Sequence, residues 1–142
     1  MELRERIAEI WAGRDRLELS SAEVRGAIAE AIDGLDRGEL RVAEYGPEGK
    51  VVVHEWLKQA ILLLFRASAS EVSHSGPFEF RDKIPLKGDY ESLAVRVVPG
   101  ASARWGAYIA PGVTMMPGRR TPDRLPEGRS CGRPGPTIMG AH

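Results

Sequence analysis

Residues 96–118 read RVVPGASARWGAYIAPGVTMMPG, and the spacing within them decides the fold. Gly100, Gly106, Gly112 and Gly118 recur at an interval of six, in phase with a second series, Val97, Ala103, Ile109 and Met115. A six-residue period that couples a small residue to an apolar one is the mark of a hexapeptide parallel β-helix, in which each short strand turns a corner into the next. Glycine suits the corners, where the backbone takes positive φ or approaches a neighbour closely, and the apolar series stacks inside the prism. Three hexads make one triangular coil, so residues 96–117 supply little more than the first coil. Repeat folds need about three stacked units to bury a core, and this segment is not expected to be stable by itself.

Upstream, the periodicity changes from six to that of helices. Leu3, Ile7, Ile10 and Trp11 fall on one side of a helix over residues 2–15. In the next helix Ser20 and Glu23 have capping-box spacing, Val24, Ala27, Ile28, Ala31, Ile32 and Leu35 form the apolar stripe, and Gly38 follows as the cap. Residues 40–44 and 50–54 are β-prone runs on either side of Tyr45-Gly46-Pro47-Glu48-Gly49, a turn composition that predicts a hairpin. Residues 55–66, with Trp56, Leu57, Ile61, Leu62, Leu64 and Phe65, are apolar on most sides and predict the central helix. Residues 67–76 read as a small polar loop, and residues 78–86 as an extended segment that Pro85 confines to an edge. The expected fold class is α+β. Residues 1–95 form a helical domain with a small hairpin, residues 96–117 begin the β-helix, and residues 118–142 are a Gly/Pro/Arg-rich tail.

That tail has five glycines, four prolines and five arginines in twenty-five residues, with Leu125 and Ile138 as its large branched aliphatics. So little apolar surface cannot offset the entropy of ordering, and disorder is expected there. Its composition fits a basic linker or out-of-frame translation of GC-rich DNA. The 142-residue chain carries 20 basic and 20 acidic residues, so no global field points to nucleic acid or to an anionic membrane. One cysteine, Cys131, excludes an intrachain disulfide and fits a reducing compartment. The charged N-terminus lacks the apolar core of a signal peptide, and no run approaches the roughly 18 apolar residues that span a bilayer. A cytoplasmic location is the expectation.

Four blocks carry a resemblance: Glu39-Leu40-Arg41-Val42-Ala43-Glu44; His54-Glu55-Trp56-Leu57-Lys58-Gln59-Ala60-Ile61-Leu62-Leu63; Asp82-Lys83-Ile84-Pro85-Leu86-Lys87; and Arg96-Val97-Val98-Pro99-Gly100-Ala101 through Gly106-Ala107-Tyr108-Ile109-Ala110-Pro111-Gly112. In order and spacing these resemble the tetrahydrodipicolinate N-succinyltransferases, over residues 1–117 and most strongly from residue 39. Gly88 departs from the aromatic that the family usually has after the second lysine. The resemblance implies an N-terminal α+β domain followed by a left-handed parallel β-helix. It implies succinyl-CoA as cosubstrate, with no tightly bound cofactor, a small dicarboxylate as the other substrate, and a step of diaminopimelate and lysine biosynthesis. It also implies a homotrimer with active sites between neighbouring β-helices.

Attack of an amine on a thioester needs a base, donors for the developing oxyanion and a groove for the coenzyme A arm. In the family the acidic catalytic residue and that groove belong to later coils, and nothing in residues 118–142 matches them. Asp123 and Glu127 there read as solvated charges. No catalytic, cofactor-binding or metal-binding residue is therefore assigned. Arg96 is the one position carried over as substrate-binding, because the family uses an arginine in that block to hold a dicarboxylate, for which a guanidinium fork is suited.

The expectation is a succinyltransferase portion that is truncated, inactive alone, and monomeric or aggregated in the absence of the remaining β-helix faces. A non-catalytic interaction module, or a degraded gene product retaining the N-terminal domain, is the alternative. Lys83 and Lys87 belong to the resembling block, and as charged residues flanking Pro85 read equally as solvated edge-strand residues. His54 reads as a strand-end residue, with neither it nor His74 at metal-ligand spacing to a carboxylate. Trp105 and Tyr108 are expected to face a neighbour or solvent.

Overall fold

A computed structural model describes residues 2–117, so the expectation of a disordered tail lies outside the described residues. The apolar stripes of three helices account for the larger core. These are α1 (Leu3–Gly13), α2 (Ala22–Asp36) and α3 (Glu55–Ala67), each packed against the other two. Ile7 and Ile10 of α1, the whole predicted stripe of α2, and Leu57, Ala60 and Leu63 of α3 form one buried cluster. Ile7, Ala31, Ala60 and Leu63 retain no exposed surface. The face of α3 is narrower than its composition suggests, since Leu62 remains 47% exposed.

Caps fix where these helices begin and end. Glu2 and Glu5 close a capping box at the start of α1, with the Glu2 amide donating to Glu5 at 3.2 Å. For α2 the cap is Ser21, not the expected Ser20: the Ser21 hydroxyl accepts from the Val24 amide at 3.4 Å, while Ser20 donates to Glu18 at 2.8 Å. With Ser21 in that position Glu23 stands one residue too early to close a box. Gly38 ends α2 as expected, at φ +76°, and its amide donates to the Leu35 carbonyl at 3.1 Å.

The described strands form three separate two-stranded sheets. β1 (Ala43–Tyr45) and β2 (Val51–Val53) make the predicted hairpin, shorter than the two sequence runs, with Glu44 opposite Val52. β3 (Glu71–Ser75) and β4 (Phe78–Asp82) make a second antiparallel hairpin, with Ser73 opposite Phe80. The loop expected over residues 67–76 is thus wrong for residues 71–75. The ribbon lies on the surface with both faces exposed, so β3 has no buried face to impose an apolar alternation on its sequence.

The third sheet joins β5 (Arg96–Val97) to β6 (Thr114–Met115) in parallel, Arg96 opposite Thr114 and Val97 opposite Met115, eighteen positions apart. Between them the chain turns at Gly100, Gly106 and Gly112, with φ of +93°, +94° and +82°. These values favour glycine at each place the six-residue series puts one. Ala103, Ile109 and Met115 are buried with Val95 in a second, smaller cluster, and Val97 is half-buried against it. Gly118 lies outside the described residues.

Candidate functional site

Arg96 opens β5, where strand alternation turns Val97 inward and leaves Arg96 on the surface. Its backbone is fixed on both sides: the Arg96 amide donates to the Val113 carbonyl at 3.0 Å and the Val98 amide to Met115 at 2.9 Å. Among the described residues its guanidinium has no ion-pair partner within 4.0 Å, so the five-donor fork is presented to solvent from a rigid base. Such a fork pairs bidentately with a carboxylate.

A second constellation forms where the turning segment meets the end of α2. Trp105 Nε1 donates to Asp33 at 2.8 Å, the Gly106 amide donates to Asp36 at 2.8 Å, and Lys87 Nζ lies 2.6 Å from the other Asp36 oxygen. The Lys87 side chain is only 7% exposed. Two carboxylates in the last turn of a helix face the negative end of its dipole, and α2 carries no basic residue there to offset them. Donors from the far segment do so instead. Backbone bonds complete the junction, the Lys87 amide donating to Ala103 at 2.8 Å and the Trp105 amide to Pro85 at 2.9 Å. Tyr108 lies over Gly38, where a Cβ would come within 2.7 Å of the ring, and the Arg41 guanidinium stands 5.9 Å from the centre of that ring.

Beside this junction runs a cleft of about 570 Å³ whose lining includes Asp36, Leu86, Lys87, Ser92, Leu93 and Trp105. Its lining includes Asp89, a non-glycine residue in left-handed conformation at φ +56°, and Ala94, just beyond the lining residue Leu93, is another at φ +53°. Burial pushes the Tyr90 phenol above its ordinary value, partly offset by the backbone of Ala103.

Several sequence expectations change at this point. Lys87 is a buried ion-pair partner, not a solvated edge residue, and Lys83 Nζ donates to the Phe65 carbonyl at 3.0 Å. Trp105 and Tyr108 face the helical domain, not solvent, because the outer side of the turning segment is the side on which α2 lies. His54 follows β2 as expected and occupies the N-cap position of α3 without capping it, its Nε2 held 2.7 Å from Glu44. Among the described residues no group of three His, Cys, Asp or Glu side chains is placed to hold a metal ion. No helix among them is long and apolar enough to cross a membrane. Asp33 and Asp36 escaped the sequence reading, although two acids in the last turn of a helix were a visible signal.

Residues 2–67 match the family described as Tetrahydrodipicolinate N-succinyltransferase N-terminal. The chain is similar to the 2,3,4,5-tetrahydropyridine-2,6-dicarboxylate N-succinyltransferase of Paramagnetospirillum magneticum, 45% identical over 123 residues, covering 81% of this chain and 44% of that protein. It is 42% identical over 125 residues to the enzyme of the same name from Bordetella pertussis, covering 82% of this chain and 45% of the relative. For the Azoarcus sp. protein, again of that name, the identity is 49% over 102 residues, covering 68% and 37%. The chain thus spans less than half the length of these relatives. With a matching N-terminal domain and this identity continuing past it, the chain belongs to the tetrahydrodipicolinate N-succinyltransferase family.

Proposed function

We propose that this chain supplies the substrate-carboxylate wall of an N-succinyltransferase, moving succinyl from succinyl-CoA to tetrahydrodipicolinate, and that it turns over only when joined to further β-helix coils. The observation that carries this reading is the parallel pairing of β5 with β6 across eighteen positions, with Arg96 exposed at its start. A return to register after three hexads, with three left-handed glycines and an inward apolar series, supports residues 96–117 as the first coil of a parallel β-helix. The same boundary supports residues 1–95 as a separate N-terminal α+β domain. In this arrangement Arg96 holds a dicarboxylate, the acidic catalytic group and coenzyme A groove come from later coils, and the reaction takes place in the cytoplasm of the cell.

The test is thiol release from succinyl-CoA with tetrahydrodipicolinate present. The chain alone should give none. A chimera of residues 1–117 with the remaining part of the Paramagnetospirillum magneticum relative should be active, and Arg96→Ala in that chimera should lower kcat/KM by about 10- to 100-fold, the value of a hydrogen bond to a charged group. Turnover by the chain alone would refute the requirement for further coils. An unchanged kcat/KM in the Arg96→Ala chimera would refute the role of that arginine.

A further inference from the structure

The chain enters β5 through a tight turn that closes on itself. The Ala94 amide donates to the Glu91 carbonyl at 3.0 Å, and the Val95 amide donates to the Tyr90 carbonyl at 2.9 Å. These are the two bonds of a Schellman motif, in which the residue making the shorter-range bond takes the left-handed conformation and is usually glycine. Here that residue is an alanine, at φ +53°. The apolar contact that accompanies such a close is present too, since Tyr90 packs against the small cluster that holds Val95.

A left-handed backbone is costly for a residue with a Cβ, and it persists only where its surroundings hold it. Ala94 is held at both of its backbone groups. Its amide is occupied by Glu91, and its carbonyl accepts from the Gly112 amide at 2.8 Å. Gly112 is the corner that returns the chain to β6, so this bond ties the entry of the coil to its completion. Ala94 is itself exposed, and position 94 therefore supplies a conformation and not packing.

What leaves this turn is Arg96. Val95 is 7% exposed and Val97 is half-buried, both against the small cluster, so Arg96 between them stands outward. Apolar burial settles which face it takes. The angle and height of its guanidinium follow from where the chain comes off the turn and from the Arg96 amide's bond to Val113 at 3.0 Å. Bidentate pairing with a carboxylate is sensitive to both, and a misplacement of about 1 Å can cost about a hundred-fold in a positioned reaction.

We infer that Ala94 is a positioning residue for Arg96: its left-handed backbone, clasped between Glu91 and Gly112, aims the guanidinium at the substrate carboxylate. The inference rests on the reading of Arg96 as the carboxylate-binding arginine of a succinyltransferase. Substitutions at position 94 should then rank by their tolerance of positive φ and not by their size. Glycine tolerates it best, asparagine well, and valine, with a shorter side chain than asparagine, poorly.

The test has two arms. In the full chain, Ala94→Val should speed hydrogen exchange at the Gly112 amide by about ten-fold or more, and Ala94→Asn and Ala94→Gly by less than about three-fold, with the Leu63 amide of α3 protected throughout. In the chimera that carries residues 1–117, Ala94→Val should raise KM for tetrahydrodipicolinate by about ten-fold or more with kcat within about two-fold, the pattern of lost ground-state binding, while Ala94→Asn keeps KM within about three-fold. Because the effect passes through the guanidinium, Ala94→Val combined with Arg96→Ala should be no worse than Arg96→Ala alone, whereas independent damage would multiply the two losses. Equal effects of Ala94→Val and Ala94→Asn, a loss carried in kcat, multiplied losses in the double variant, or unfolding of α3 in Ala94→Val would overturn the inference. An Arg96→Ala chimera with unchanged kcat/KM would instead remove the carboxylate reading on which it rests.

Discussion

The helical half and the turning half of this molecule hold themselves together by different means. Around α1, α2 and α3, eleven buried residues interlock with fully covered members such as Ile7, Ala60 and Leu63, and the helices close on one another. Around Ala103 and Ile109 the buried cluster has four members, and the segment is fastened to α2 by directed polar contacts through Asp33 and Asp36. Apolar burial is additive and tolerant of small shifts, whereas a clasp of three donors on two carboxylates is geometric. The first half has its stability distributed; the second concentrates it at one junction.

Damage to each half should therefore spread differently. Leu63→Ala should cost about 2–5 kcal/mol and lower the single thermal transition of the helical core, whereas Ile109→Ala should speed hydrogen exchange at the Arg96 and Gly112 amides while leaving the α3 amides protected. If Ile109→Ala lowers the α3 amides equally, the two halves form one cooperative unit and the contrast fails. Asp36→Ala strands both Lys87 Nζ and the Gly106 amide, and should loosen the junction by about 3 kcal/mol, read as lost protection from residue 95 to residue 115 with α1 and α3 intact. Asp36→Asn, which keeps an acceptor for Gly106, should do less.

Two smaller effects sharpen the same contrast. Gly38→Ala forces a left-handed alanine against the Tyr108 ring and should cost about 1–2 kcal/mol from backbone strain, with part of any further clash relieved by adding Tyr108→Ala. The smallest effect is at the outer rim of the helical half. The hydrogen bond from Arg66 holds the Asp15 carboxyl below its ordinary 3.8. A lowered carboxyl contributes stability that is present above the unfolded value and is lost as pH falls through the folded one. The difference between the native chain and Asp15→Asn should therefore be constant above about pH 5 and vanish in more acidic solution, as followed by urea midpoints.

How much of this was legible beforehand follows from the same contrast. The α2 stripe could be read in full because each member, from Val24 to Leu35, faces one core at helical spacing. The corner glycines could be read because positive φ leaves few alternatives to glycine. The cap was misplaced by one residue because Ser20 and Ser21 are adjacent and only the Val24 amide distinguishes them. β3 was missed because a ribbon exposed on both faces writes no alternation. Of the candidate site, Arg96 is proposed through its block, but the Asp36–Lys87 pair was not legible, since it joins a helix end to a distant extended segment that no local pattern links. Trp105, expected to face a neighbour or solvent, instead donates to Asp33 at the end of α2.

The pairing of Arg96 with Thr114 and of Val97 with Met115 also sets a ruler along the gene. Removing one codon between these strands would present the wrong residue at every position beyond the cut, exchanging the inward Met115 for the outward Met116. Removing six would keep the beat of glycine and aliphatic yet leave one side of the turn missing. Only steps of eighteen preserve both the beat and the return to register, so length variation is expected to be confined to bulges outside this count, and the spacing itself is as heritable as any side chain.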